Sequence, residues 1–267
     1  MEILKKLSCA PHVHAHLINL LATYEQTGKF YLVFPWAKAD LLGYWTEENP
    51  RPPQKKEMVT WIAEQCHGIA DGLSTIHRYH TFSGKSLLHP NSLPLDNLTE
   101  PRTSTKDKTM NEAKVIRLFG RHGDIKPNNI LWFPDQTRKG GFGILKITDF
   151  GIAHFSTKNE VSAQERDLVA NSPTYRAPEC DFPGWMLSPS SDLWTLGCVY
   201  LEFIVWFIGG STRLKQFAQD RTAFDPCWHG FSTDTFFTIE ENQPKVKDSV
   251  IRVSYNGLTQ LISLGKR

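Results

Sequence analysis

The sequence predicts an α+β chain in which helix outweighs strand, on three observations. Two apolar runs of strand length, Ile18 to Leu21 and Phe30 to Phe34, lie near the start and are separated by Gly28. From about Gln54 to His80, apolar residues recur at helical spacing. A further apolar stretch, Leu193 to Ile208, has the length and continuity of a helix buried on all sides. Strands and helices in separate runs of the chain suit the α+β class.

Taken in order, Ile3, Leu4 and Leu7 face away from Lys5 and Lys6 and read as the tail of a helix that Pro11 helps to close. The two early runs suit antiparallel strands joined by a turn. Pro35 breaks the second run, because proline would forfeit a ladder bond inside a central strand, so Pro35 to Leu41 reads as a connector. The helix that follows carries Val59, Ile62, Cys66, Ile69, Leu73 and Ile76 on one face. From Thr81 to about Ala113 the pattern collapses into Ser, Thr, Pro, Asn, Lys and Asp without a period. Such a stretch cannot bury enough apolar area to offset its ordering entropy, so 81–113 reads as a flexible surface insertion. Ile130 to Phe133 and Gly143 to Thr148 are short strands around the turn-rich Pro134 to Gly141. An irregular region spans Ala153 to Cys180, and a last helix is expected over Val250 to Leu264.

Composition narrows the function classes. The 267 residues carry a formal net charge of +2 and no basic stripe, which argues against a nucleic-acid partner. Cys9, Cys66, Cys180, Cys198 and Cys227 are scattered and odd in number, without a C-x-x-C, which suits reduced thiols in an intracellular, cytoplasmic or nuclear protein. The start lacks the apolar core of a secretory signal. Leu193 to Ile208 contains Gly197 and Glu202 and falls short of the roughly 20 residues a bilayer needs, so no membrane partner is expected.

The chemistry concentrates in Arg121-His122-Gly123-Asp124-Ile125-Lys126-Pro127-Asn128-Asn129-Ile130-Leu131, followed by Asp149-Phe150-Gly151. Two aspartates, a lysine and an asparagine at these spacings supply the charges that hold Mg²⁺ and a triphosphate and orient a hydroxyl. The stretch resembles the catalytic loop, H-R-D-x-K-x-x-N, and the D-F-G motif of eukaryotic protein kinases, with Gly123 where that family usually has arginine. Further motifs follow in the family's order. Ala177-Pro178-Glu179 matches the end of the activation segment, and Ser191-Asp192-Leu193-Trp194-Thr195-Leu196-Gly197 matches D-x-W-x-x-G. The resemblance implies a kinase-like α+β fold, mostly the helical C-lobe, with residues 1–36 a reduced β-stranded N-lobe and 37–267 the C-lobe.

It also implies roles. Asp124 would accept or orient the proton of the attacking hydroxyl, and Lys126 would neutralise charge on the transferring phosphoryl group. Asn129 and Asp149 would hold Mg²⁺, and Ser172 would bond the catalytic Asp and Lys as in serine/threonine kinases. Phe34 would stand as gatekeeper, with the main chain of Pro35 and Ala37 facing adenine, Asp40 near the ribose and Leu131 beneath the base. Leu4, His122 and Phe150 fall at positions of a hydrophobic spine. The partners implied are ATP and a protein carrying Ser or Thr, while the oligomeric state stays open. His122-Gly123-Asp124 with Asn129 also resembles small-molecule phosphotransferases, against which stand Lys126-Pro127, the full Asp-Phe-Gly and Ala-Pro-Glu.

The 267 residues contain no G-x-G-x-x-G and no V-A-I-K-like lysine strand. The expectation is therefore a kinase domain trimmed at its ends, slow in phosphate transfer when alone, with a non-catalytic kinase-like scaffold as the alternative. Gly123 removes the arginine that clamps a phosphorylated activation segment, so activity is expected not to depend on phosphorylating Ser156, Thr157 or Ser162.

Overall fold

A computed structural model describes residues 7–8, 13–83, 114–135, 137, 141–156, 172–182, 188–228 and 230–265. Leu4, most of the expected insertion (84–113), Thr157 and Ser162 lie outside these residues.

β1 (Ala22–Gln26) and β2 (Lys29–Val33) form an antiparallel hairpin with Gln26 paired to Lys29. Thr27 and Gly28 between them have φ of 52° and 71°, the mirror-image turn whose twist matches that of paired strands. The hairpin starts later than the sequence predicts, because Ile18 to Leu21 precedes it. Leu17 and Ile18 are fully buried; Ile18 N–H donates to Ile147 O on a different sheet, and Ile147 N–H donates back to His16 O. That apolar run signals burial rather than a strand. Every residue of β1 and β2 is exposed, with Tyr24 stacked on Tyr31 at 4.8 Å.

β3 (Ala39–Asp40) leads into the short helix α1 (Leu41–Gly43), which continues as a π-helical turn over Tyr44–Glu48. α2 (Lys56–His77) is the long amphipathic helix, with Met58, Trp61, Ile69, Leu73 and Ile76 on its buried face. β4 (His80–Ser83) pairs with β5 (Lys114–Arg117), so the first three residues of the stretch read as aperiodic are strand. β6 (Phe119–Arg121) follows. β7 (Ile130–Phe133) and β8 (Ile144–Ile147) pair with Ile130 opposite Ile147, and β3 adds to the outer edge of β7. β9 (His154–Ser156) pairs back onto β6.

α3 (Pro189–Arg221) includes the expected buried helix and more. Gly210 interrupts it with φ 67°, ψ −167°. A Cβ there would sit 2.4 Å from the carbonyl oxygen of Pro50, and Ser211 N–H donates to that same oxygen at 2.9 Å, so the turn needs glycine for both space and torsion. Two hairpins then follow that the sequence did not announce. β10 (Ala223–Phe224) pairs with β11 (Ser232–Thr233), and β12 (Phe237–Glu240) pairs with β13 (Gln243–Val246) through Glu241 and Asn242 at φ of 51° and 60°. Glu-Asn lacks the glycine that usually marks such turns. α4 (Asp248–Gly265) closes the described fold.

The core is aromatic. Tyr44 packs on Trp132 at 4.7 Å, Trp45 on Phe203 at 5.3 Å, and Phe203 on Trp206 at 5.5 Å. These contacts join the turn after α1 to β7 and to α3, and Trp61 of α2 meets Phe203 edge-on at 5.8 Å. Each fully buried side chain of this size stabilises by about 1.5–3 kcal/mol, so this cluster holds α3 where it can carry the loop described next.

Candidate active site

The loop between β6 and β7 hangs from the first turn of α3. Asp192, 1 % exposed, accepts from His122 N–H at 2.7 Å, from Gly123 N–H at 2.8 Å and from His77 Nε2 at 2.9 Å. A carboxylate at a helix N-terminus is itself favoured by the helix dipole. His122 is fully buried: its Nε2 donates to Thr148 O at 2.9 Å, while its Nδ1 accepts from Asp124 N–H at 3.3 Å. One ring nitrogen donates and the other accepts, which defines the neutral imidazole. Burial pushes its pKa below 6.5 against the pull of Asp192, Asp124 and Asp149 nearby. Phe150 packs on this ring at 5.2 Å.

Four of the expected catalytic residues meet directly. Asp124 Oδ2 accepts from Lys126 Nζ at 2.7 Å and from Asn129 Nδ2 at 2.8 Å. Lys126 Nζ also donates to Ser172 Oγ at 2.9 Å, and Asn129 Nδ2 donates again to the Asp124 carbonyl at 2.8 Å. The one-turn 3₁₀ helix Pro127–Asn129 fixes this spacing. Thr148 N–H donates to Asn129 O at 2.9 Å and so ties the loop to the residue before Asp149. Asp149 is exposed and has φ 61°, a left-handed conformation that costs a non-glycine residue about 1–3 kcal/mol and is found at functional sites. Gly151 N–H donates to its Oδ1 at 3.2 Å.

The connector residues lie along the same sheet. Lys38 N–H donates to Trp132 O at 3.1 Å, and Asp40 is the register partner of Leu131. Phe34, Pro35 and Ala37 are half-buried, whereas Trp36 between them is 93 % exposed. Asp40 is already engaged: Oδ1 caps α1 through Gly43 N–H at 2.7 Å, and Oδ2 accepts from Asn128 Nδ2 at 3.1 Å. Sequence reasoning missed Asn128 and His77, whose partners are 88 and 115 positions away.

Beside Ser172, the chain is bolted to α3 and its following hairpins by buried charge. Arg176 pairs with Asp181 at 2.9 Å and Asp225 at 2.6 Å. Tyr175 OH donates to Glu202 Oε2 at 2.7 Å, and Arg221 meets Glu202 Oε1 at 2.8 Å with its guanidinium between Phe217 and Phe236. Burial pushes the Glu202 carboxyl up while Arg221 pulls it down. Glu179 forms no ion pair among the described residues.

An aspartate, a lysine, an asparagine and a second aspartate so arranged match the set of charges that kinase-like phosphotransferases use. Residues 118–223 match the family model of the protein kinase domain. The chain is similar to human cyclin-dependent kinase-like 4, at 27% identity over 72% of this chain and 36% of that protein. It is similar to serine/threonine-protein kinase ATG1 of Debaryomyces hansenii, at 26% identity over 72% of this chain and 20% of the relative. Over a shorter stretch it is 35% identical to cyclin-dependent kinase 7 of Dictyostelium discoideum, covering 36% of this chain and 24% of the relative. Residues 118–223, which hold the His122–Asn129 loop, Asp-Phe-Gly and Ala-Pro-Glu, are therefore similar to the eukaryotic protein kinase domain. Across these three relatives, the matched length is only about a fifth to a third of the whole protein.

Proposed function

We propose that this chain transfers the γ-phosphate of ATP, with Mg²⁺, to serine or threonine of a protein substrate inside the cell, in the cytoplasm or nucleus. The observation that carries the reading is the hydrogen-bonded set Asp124–Lys126–Asn129–Ser172. Asp124 uses Oδ2 for Lys126 and Asn129, so Oδ1 is the oxygen available to orient an acceptor hydroxyl and take its proton. Lys126 stands between Asp124 and Ser172 and supplies a positive charge where the phosphoryl group passes.

The residues fit Mg²⁺. Asn129 spends Nδ2 on Asp124, which leaves its amide oxygen as a hard ligand, and the exposed Asp149 carboxylate supplies a second. Bound there, Mg²⁺ would neutralise charge on the phosphates. Phe34, Pro35, Ala37 and Leu131 would form the adenine side. Asp40 would act on the ribose only by giving up one of its two present bonds.

The test is phosphorylation of a Ser/Thr peptide library read by mass spectrometry, with calorimetry of Mg²⁺·ADP binding. Expected is nucleotide binding that Asp149→Asn abolishes, and transfer well below the ordinary ~1–100 s⁻¹ that Asp124→Asn removes. Wild-type chain that neither binds nucleotide nor transfers phosphate overturns the reading.

A further inference from the structure

We propose that Phe155, seated on Gly120, is the positioning residue that fixes Asp149 relative to Asp124. The inference rests on the phosphotransfer roles of those two aspartates. β6 runs directly into His122-Gly123-Asp124, and β9 begins three residues after Gly151. The two strands pair with Gly120 opposite Phe155 and Arg121 opposite His154. The catalytic loop and the Asp-Phe-Gly stretch therefore connect to neighbouring ends of one two-stranded ladder.

Two glycines receive the segment that follows Asp-Phe-Gly. A Cβ on Gly120 would lie 2.5 Å from Phe155 Cε1 and 2.1 Å from the carbonyl oxygen of Ile76, so β6 passes between the end of α2 and the Phe155 ring with no room for a side chain. The ring also meets Tyr79, which is 4 % exposed, at a centroid distance of 4.6 Å. Gly123, at φ 86°, receives Ile152, whose Cδ1 would be 3.2 Å from a Cβ there. Gly123 is thus more than a missing arginine: Ile152, from the segment between Asp-Phe-Gly and β9, fills the space beside it.

Asp149 gives this seat its purpose. Its left-handed φ of 61° persists only if the chain on both sides is held. On the N-terminal side the hold is the bond from Thr148 N–H to Asn129 O at 2.9 Å. On the C-terminal side it is Ile152 on Gly123 and Phe155 on Gly120 and Tyr79.

The experiment compares wild type, Phe155→Ala and Phe155→Leu by amide hydrogen exchange and by calorimetry of Mn²⁺·ADP. Phe155→Ala is expected to speed exchange in β6, β9 and Asp149–Gly151 by about tenfold or more, with β12 and β13 unchanged. It should also weaken Mn²⁺·ADP by about tenfold, and Phe155→Leu should recover most of both losses. Unchanged exchange overturns the proposal, as does faster exchange with unchanged metal–nucleotide affinity, which would make Phe155 a packing residue only. Wild type that binds no Mn²⁺·ADP sinks the phosphotransfer reading instead, and exchange at Asp149–Gly151 then decides the role of Phe155.

Discussion

Replacing Asp192 by alanine strips three donors of one acceptor: the N–H groups of His122 and Gly123 and the ring of His77. Each buried N–H left without a partner costs about 1–3 kcal/mol. Two such groups, plus the lost imidazole contact, bring the expected destabilisation to ~3–5 kcal/mol, the range for breaking a buried charged pair. In a chain of this size each kcal/mol moves the melting temperature by ~2–4 °C, so a fall of roughly 6–20 °C is expected. Asp192→Asn keeps the shape and one acceptor but turns an N–H₂ toward the second amide, and should lose about half as much. Urea denaturation followed by circular dichroism measures all three proteins, and the asparagine variant keeps the comparison usable if alanine does not fold. An alanine variant within ~0.5 kcal/mol of wild type would refute the idea that the catalytic loop hangs from this carboxylate.

Ser172→Ala should lower any measurable peptide phosphorylation about tenfold by freeing Lys126, with Ser172→Thr restoring it; equal rates for all three would remove Ser172 from the site. Gly123→Arg should destabilise by ~1–2 kcal/mol, because its φ of 86° is left-handed and Ile152 occupies the space, and should not make activity depend on phosphorylation. A stability gain in denaturant or a large loss of activity after phosphatase treatment would contradict this. Tyr175→Phe leaves Glu202 Oε2 without its donor and should cost about 1–3 kcal/mol in the same denaturation assay. Burial holds the pKa values of His122 and His16 below 6.5, so the unfolded chain takes up protons first as pH falls. Their contribution to stability is complete above pH 6.5 and declines below it, and His122→Gln should flatten the slope of midpoint against pH between 6.5 and 5.

The site was readable in sequence to the extent that its chemistry is local. Asp124, Lys126 and Asn129 lie within six positions, and the 3₁₀ turn Pro127–Asn129 that closes this span leaves few arrangements open to their side chains. Ser172 sits 46 positions from Lys126 and was reached only through the family motif, yet the bond between them is present. Asn128 and His77 escaped because nothing near them in sequence hints at Asp40 or Asp192. The fold divides in the same way. The periodicity of α2 and the β7–β8 pair are local patterns, whereas β4–β5 is closed by residues 31 or more positions apart and carries no alternation to announce it. Gly210 reads as an ordinary helix glycine until the carbonyl of Pro50 is placed beside it.

Suspending the catalytic loop from α3 also sets how the molecule comes apart. Asp192 belongs to the helix that supplies Phe203, Trp206 and Phe207 to the core, all fully buried, so the loop cannot detach without taking the centre of the protein with it. The β1–β2 hairpin is the opposite case, exposed along both strands and able to open at little cost. Amide exchange should therefore fall into two tiers. The chemistry-bearing loop would share the slow tier of global unfolding, while the hairpin beside the connector breathes independently of it.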